Sequence, residues 1–186
     1  MSILLGVTGY SGAGKTTAID YIAEQTGAER IYVGQLVSDE VLRQNLAPGP
    51  DSEKVVRVKL RDLHGRAGLA ILAASEVQAS IDKGNAVIID AICCLEEIEF
   101  YRSHFDPTAP LISIEASFDI RAFRTAARLT RPISADKLRE RDHVEINNLR
   151  TDLAIQAATE SIDNSGDLRQ LLEQLDQIVC PLLLRP

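Results

Sequence analysis

Residues 9–16, Gly9-Tyr10-Ser11-Gly12-Ala13-Gly14-Lys15-Thr16, form a complete G-x-x-x-x-G-K-[ST] phosphate-binding loop. The flanking sequence agrees with that reading. Ile3-Leu4-Leu5-Gly6-Val7-Thr8 is a short apolar run of the kind a buried parallel strand requires. After the loop, Ile19, Ile22 and Ala23 recur at helical spacing, with Asp20 and Glu24 on the other side. Strand, glycine loop and helix thus follow in the order that aims backbone amides at a phosphate chain, at the positive end of a helix dipole. Lys15 is expected to reach the β- and γ-phosphates, and the Thr16 hydroxyl to bind Mg²⁺. The expected nucleotide contacts are Gly9, Ser11, Gly12, Ala13, Gly14, Lys15, Thr16 and Thr17, with ATP as the default nucleotide.

Length and composition bound the rest. The 186 residues suffice for one α/β domain with a full core and are too few for two, so residues 1–186 are expected to form a single domain. Hydrophobic residues make up 45% and charged residues 25%, the balance of an ordinary soluble protein. Aromatics are only 4% and Trp is absent, which removes the stacking platforms that single-stranded nucleic acids use. The net charge of −7 argues against nucleic acid and anionic membranes as partners. No apolar run approaches the ~20 residues a membrane span needs, and no basic leader precedes the first apolar run. A cytoplasmic location is expected. Cys93, Cys94 and Cys180 make neither a metal spacing nor a disulfide framework and are expected to be buried, reduced thiols.

Strand-like and helix-like segments alternate along the chain. The first helix covers 15–26 and is closed by Gly27; a short strand covers 30–33 and a helix 35–45. Ala47-Pro48-Gly49-Pro50 is a loop by composition, after which Asp51 or Ser52 would cap a helix interrupted near His64-Gly65. A longer helix runs to Asp82, Ala86 to Asp90 is a buried strand ending in an acid, and 95–104 is helical. A strand over 111–116 precedes a helix opened by Asp119 that Pro132 must end. Residues 135–161 read as mostly helical, 162–164 as a last strand and 167–179 as an amphipathic helix. Such alternation implies a parallel sheet covered on both faces, with the glycine loop and Asp90 along one edge.

Three groups of side chains are candidates for chemistry. Asp90, at the carboxyl end of an apolar strand, would orient Mg²⁺ through water or else orient an acceptor; capping the next turn is its structural alternative. Arg121, Arg124, Arg128 and Arg131 lie at spacings that put all four within about 80° of one helical face. A basic stripe in an acidic chain suits an anion, and phosphoryl transfer needs cations around the transferred group. Arg128 and Arg131, running into Pro132, are the expected catalytic pair, with salt bridging to Glu140 or Asp142 as the competing explanation of the stripe. On the acceptor side, Arg43 and Arg61 are chosen from a mixed-charge segment as expected acceptor-binding residues. His64, His104 and His143 share no metal spacing and are read as structural. Asn164, in Asn164-Ser165-Gly166, is expected to contact the nucleotide base, or else to serve as a turn and helix cap.

Together these features resemble the P-loop nucleotide kinases: the adenylate-kinase-like enzymes, and especially the dephospho-CoA kinase and archaeal nucleotide-kinase-like branch. The resemblance spans nearly the whole chain. Gly34-Gln35 to Arg43 looks like the first acceptor-binding helix, and Arg61-Asp62-Leu63-His64-Gly65 like the R-x-x-x-G segment. Ile88-Ile89-Asp90-Ala91-Ile92 looks like the third-strand motif, and Arg121 to Arg131 like the arginine-bearing helix and lid. Arg139-Glu140-Arg141-Asp142 looks like the R-x-R-D segment after the lid, and 162–166 like the base-side loop. The resemblance implies an α/β P-loop NTPase fold with five parallel strands flanked by helices and a small lid. It places the acceptor-binding region at about 34–84 and the lid at about 128–137, and it implies Mg²⁺-ATP as donor of a γ-phosphate to a small-molecule acceptor. The chain departs from the pattern in two places. Val33-Gly34-Gln35-Leu36 stands where dephospho-CoA kinases carry an acid, and Cys93-Cys94 stands where many members carry an arginine. Three activities fit: a nucleoside-monophosphate kinase, a kinase of dephospho-CoA or another hydroxyl metabolite, and a regulatory ATPase acting through a protein partner.

Overall fold

The computed structural model describes residues 4–183. Among them the elements run β1 Leu4–Thr8, α1 Lys15–Thr26, β2 Glu29–Tyr32, α2 Val33–Arg43, α3 Pro50–His64, α4 Gly68–Asp82, β3 Val87–Ile92 and α5 Leu95–His104. There follow β4 Leu111–Glu115, α6 Phe118–Ala126, α7 Ala135–Val144, a π-helical segment Glu145–Leu149, α8 Thr151–Gln156, β5 Glu160–Asp163 and α9 Leu168–Leu183. Ile3, expected to begin the first strand, lies outside the described residues, as does the side chain of Cys180.

The strands form one sheet in the order β2-β3-β1-β4-β5, and every neighbouring pair is parallel. The glycine loop leaves β1 between β3 and β4, at the point where the strand order reverses. That is where an open α/β sheet opens a crevice for a ligand. Alternation along the strands splits the core in two. Leu4 and Ile89 face one layer, with Val37, Val56, Val77 and Ile98. Leu5, Val7 and Ile88 face the other, with Ile19, Ile22, Leu171 and Leu175. Each large aliphatic side chain withdrawn from water in this way contributes about 1.5–3 kcal/mol, which holds β1 and the start of its loop rigid.

Several boundaries differ from the sequence reading, each for a local reason. Helix α2 begins at Val33, directly after β2, because Gly34 accepts the Tyr32 ring where a Cβ would come within 2.5 Å of its Cζ. Helix α3 begins at Pro50, whose missing N–H and fixed φ suit a first helical position. The helix expected over 135–161 is broken: it widens into the π-helical segment, and Arg150 then turns left-handed at φ 55° before α8. The last strand starts two residues early, at Glu160. One irregularity lies beside the glycine loop. Val7 pairs with Asp90 but Thr8 pairs with Ile92, so Ala91 is an extra residue in β3, held at φ 73°. Thr8 Oγ1 locks the bulge by donating to the Ile92 carbonyl at 2.8 Å. Among the described residues no helix is long and apolar enough to cross a membrane.

Candidate active site

The glycines of the loop are required by its backbone. Gly9, Gly12 and Gly14 have φ of 133°, 85° and 103°. A Cβ at Gly9 would collide with the Ile114 carbonyl, and one at Gly12 would come within 2.8 Å of the Arg121 carbonyl. Lys15, the first residue of α1, folds back so that its ammonium donates to the carbonyls of Gly9 at 2.6 Å and Tyr10 at 3.1 Å. Burial holds this ammonium below its usual range; Arg141 acts in the same direction, and Cys93, Glu145 and Asp90 oppose it. Thr16 and Thr17 are exposed on the first turn of α1, while Ser11 and Ala13 are buried beneath the loop.

Arg121 and Arg124 brace the loop rather than reach into it. Arg121 is 6% exposed and pairs with Asp142 through two bonds, Nη1 to Oδ1 at 3.0 Å and Nη2 to Oδ2 at 2.7 Å. It also donates to the Ser11 carbonyl at 3.2 Å, and its guanidinium carbon lies 5.2 Å from the Tyr10 ring centroid. The salt bridge to Asp142, the competing reading of the stripe, therefore holds for this member. Arg124 donates to the Asn164 carbonyl at 2.8 Å, and Asn164 Nδ2 donates to the Ala13 carbonyl at 2.8 Å. The Asn164 amide is thus engaged by the loop backbone. Arg128 is exposed. Arg131 is left-handed at φ 52°, 75% exposed along its side chain and 3.8 Å from Glu53 on α3. Neither is packed against the glycine loop.

Two expectations change. Arg43 does not turn toward an acceptor: 73% exposed, it closes on Glu40 one helical turn back, with both bonds at 2.6 Å. Asp90 is already engaged in an ion pair, so a role at Mg²⁺ falls to its second oxygen. It is 4% exposed, and Arg30 Nε and Nη2 both bond its Oδ2, at 3.0 and 2.5 Å, while Arg30 also holds Asp20 at 2.7 Å. A carboxylate withdrawn from water needs such a cation. Among the described residues no set of three or more His, Cys, Asp and Glu side chains converges as a metal cage. The donors that fit a hydrated Mg²⁺ arriving with a triphosphate are the exposed Thr16 hydroxyl and the Asp90 oxygen that Arg30 does not bond.

Arg61, on α3, is largely buried. It faces Glu97 on α5, with Nη2 3.9 Å from Oε1. Glu97 Oε2 accepts the Cys93 amide at 2.7 Å, and the Cys93 carbonyl accepts the Thr151 hydroxyl at 2.6 Å. Cys93 is only half-buried, against the expectation of a buried thiol, while Cys94 is fully buried. Burial pushes the Cys93 thiol up to about 12, so it stays neutral. Residues missed by sequence reasoning complete the site. Arg141 and Glu145 bond at 2.9 Å beside Lys15. Arg141 had a signal in the R-x-R-D stretch. Glu97 had none, because an acid in the first turn of a helix reads as an ordinary partner of the helix dipole.

A family model described as an AAA domain matches residues 5–148. A UPF0200 protein of Methanococcus maripaludis strain C7 is 32% identical over 146 residues, covering 77% of this chain and 78% of the relative. Two solved structures share the fold. A shikimate kinase from Bacteroides thetaiotaomicron superposes with a TM-score of 0.62 at 17% identity, over 98% of this chain and 99% of that one. A dephospho-CoA kinase from Campylobacter jejuni superposes with a TM-score of 0.58 at 13% identity, over 98% of each. Glycine loop, strand order and sequence agree: the chain belongs to the AAA domain family of P-loop NTPases, alongside the archaeal UPF0200 proteins.

Proposed function

We propose that the chain is an ATP-dependent phosphotransferase, moving the γ-phosphate of Mg²⁺-ATP to a small acceptor. The observation that carries this is the charge around the end of β1. Lys15 is held inside the glycine loop, with Arg141, Glu145 and Asp90 in its field. Such an arrangement can neutralise a phosphate chain and position what attacks it, which is most of the work in phosphoryl transfer. The kinase fold of the shikimate and dephospho-CoA enzymes supports the same reading by analogy. In this scheme the loop amides and Lys15 hold the β- and γ-phosphates. The Thr16 hydroxyl would hold Mg²⁺, with Asp90 acting on it through water, and Arg141 would balance charge on the transferred group. Arg128 and Arg131 are the cations of a lid that closes over the donor. Arg128 is exposed, and Arg131 is 75% exposed along its side chain and meets Glu53 at 3.8 Å, a surface pair weak enough to release it.

The test is ADP release from Mg²⁺-ATP with and without candidate acceptors, together with a titration of ATP binding. Acceptor-stimulated turnover should fall at least about 10²-fold in Lys15→Ala, the scale of one lost transition-state contact. Tight ATP binding with no stimulation by any acceptor would instead favour a regulatory ATPase that works through a protein partner.

A further inference from the structure

Beside the donor site lies an ion pair left incomplete. Arg61 Nη2 and Glu97 Oε1 are 3.9 Å apart, beyond hydrogen-bond reach, although the two side chains are only 19% and 4% exposed. Glu97 Oε1 has no hydrogen-bond partner, and neither does Arg61 Nε; one helical turn on, Tyr101 Oη is a third buried orphan. Buried polar atoms in this state cost free energy that a ligand would recover by completing them. Their position follows from the strand register. The β3 bulge puts Ile92 opposite Thr8, so Cys93 follows directly after the last paired residue and lies in the field of Lys15, which grips the Gly9 carbonyl. Glu97 holds the amide of that same Cys93. Cys93 thus lies within the electrostatic reach of Lys15 on one side and of Arg61 and Glu97 on the other.

We propose that Arg61 and Glu97 form the acceptor subsite, and that the attacking atom is a hydroxyl oxygen of a small anionic metabolite, not a phosphate oxygen. The inference rests on the phosphotransferase reading and narrows its substrate class. A hydroxyl admitted between the two side chains can donate to the unpartnered Oε1, while an acidic group of the same molecule meets the unpartnered guanidinium nitrogen. A nucleoside monophosphate attacks through a phosphate oxygen, which has no proton to give and is repelled by a neighbouring carboxylate. The β3–α5 turn adds no cation to offset that repulsion, since it offers Cys93 and Cys94. In the transfer step, the acceptor O–H bond breaks and its proton passes to Glu97 Oε1. The freed oxygen pair forms the bond to the γ-phosphorus, and the bond from that phosphorus to the β,γ-bridging oxygen breaks, releasing ADP. The titratable groups around Glu97 are Arg61 from α3, Cys93 and Cys94 from the turn, and Glu96 and Tyr101 from its own helix. Burial, the largest influence, pushes its carboxyl up to about 7, where a carboxylate serves well as a proton acceptor at neutral pH.

The full chain is assayed with Mg²⁺-ATP and two sets of probes: shikimate, gluconate and dephospho-CoA as hydroxyl acceptors, and AMP, CMP, GMP and UMP as phosphate acceptors. Phosphorus NMR identifies the product as an ester or an anhydride. At least tenfold stimulation by a hydroxyl probe, with an ester product, is expected. The carboxylate and phosphate probes show which anion Arg61 prefers. Glu97→Gln should lower that turnover about 10²-fold and remove the rise in rate around pH 7, with ATP affinity within twofold of the parent. Glu97→Asp, which keeps the carboxylate, should recover part of the rate and its pH response. Arg61→Lys should raise the acceptor KM more than it lowers kcat. Anhydride as the main product would overturn the proposal, and so would an unchanged rate and pH profile in folded Glu97→Gln. No stimulation by any hydroxyl probe while ATP still binds would also count against it. Failure of the parent chain to bind ATP would remove the phosphotransferase reading instead, and this subsite with it.

Discussion

Replacing Glu97 by glutamine should change how the stability of the fold depends on pH. In the folded chain, burial raises the Glu97 carboxyl from its ordinary 4.5 to about 7. Between those values the folded protein keeps a proton that the unfolded chain releases, so folding is coupled to proton uptake. Stability is therefore complete below 4.5, falls as pH rises, and is fully lost from this source above about 7. At about 1.4 kcal/mol per pH unit the whole effect is about 3 kcal/mol, most of which falls between pH 5 and pH 8. Glutamine keeps the shape and can still accept the Cys93 amide, but it carries no charge at any pH. Urea unfolding of both proteins at pH 5 and pH 8 gives four free energies. The parent should lose about 2–3 kcal/mol more than Glu97→Gln across that interval, or about 5–10 °C in Tm for a chain of this size. Every other titrating group is common to both proteins and cancels in the comparison. Parallel pH dependences, within about 1 kcal/mol, would show that Glu97 is ionised at neutral pH and that its burial is relieved in solution.

Three further substitutions probe the frame of the site. Arg121→Ala should cost about 3 kcal/mol in urea unfolding, because it strands Asp142 and unpins the Ser11 carbonyl; a loss under about 1 kcal/mol would mean that the pair is spectator to the loop. Gly14→Ala should weaken ATP binding at least tenfold, since its Cβ would strike Asn164 Nδ2 and its φ of 103° is strained for alanine. Adding Asn164→Ala should restore only part of that affinity, and complete restoration would dismiss the backbone strain. Arg30→Gln should destabilise by about 2 kcal/mol by leaving Asp90 unpaired, and Arg30→Gln with Asp90→Asn should recover most of it in a double-mutant cycle.

The parts of this molecule legible in the sequence are those whose physics is local. The glycine loop declares itself because three left-handed backbone positions and one lysine must sit at fixed offsets. The strands declare themselves as apolar runs because both faces of the sheet are covered. Partners far apart in the chain were not legible. Arg30 and Asp90 are 60 residues apart and meet only because β2 and β3 pair in register. Arg121 belongs to a four-arginine stripe by spacing, yet it is buried against Asp142 while Arg128 on the same face is exposed. Helical periodicity fixes a shared face but not which turn of that face is covered. The break at Arg150 was hidden for a similar reason: its left-handed backbone carries no glycine to mark it.

The extra residue at Ala91 also acts as a frame shift within the sheet. Without it, the second residue after Asp90 would come to lie against the glycine loop; with it, that place falls to the third, Cys93. Any relative whose third strand runs straight will offer a different position to the same spot. Positions compared by counting residues from the strand acid will then be misassigned by one, throughout the stretch that meets the acceptor. A gap placed opposite Ala91, justified by its φ of 73° and the Thr8 bond to Ile92, restores the equivalence.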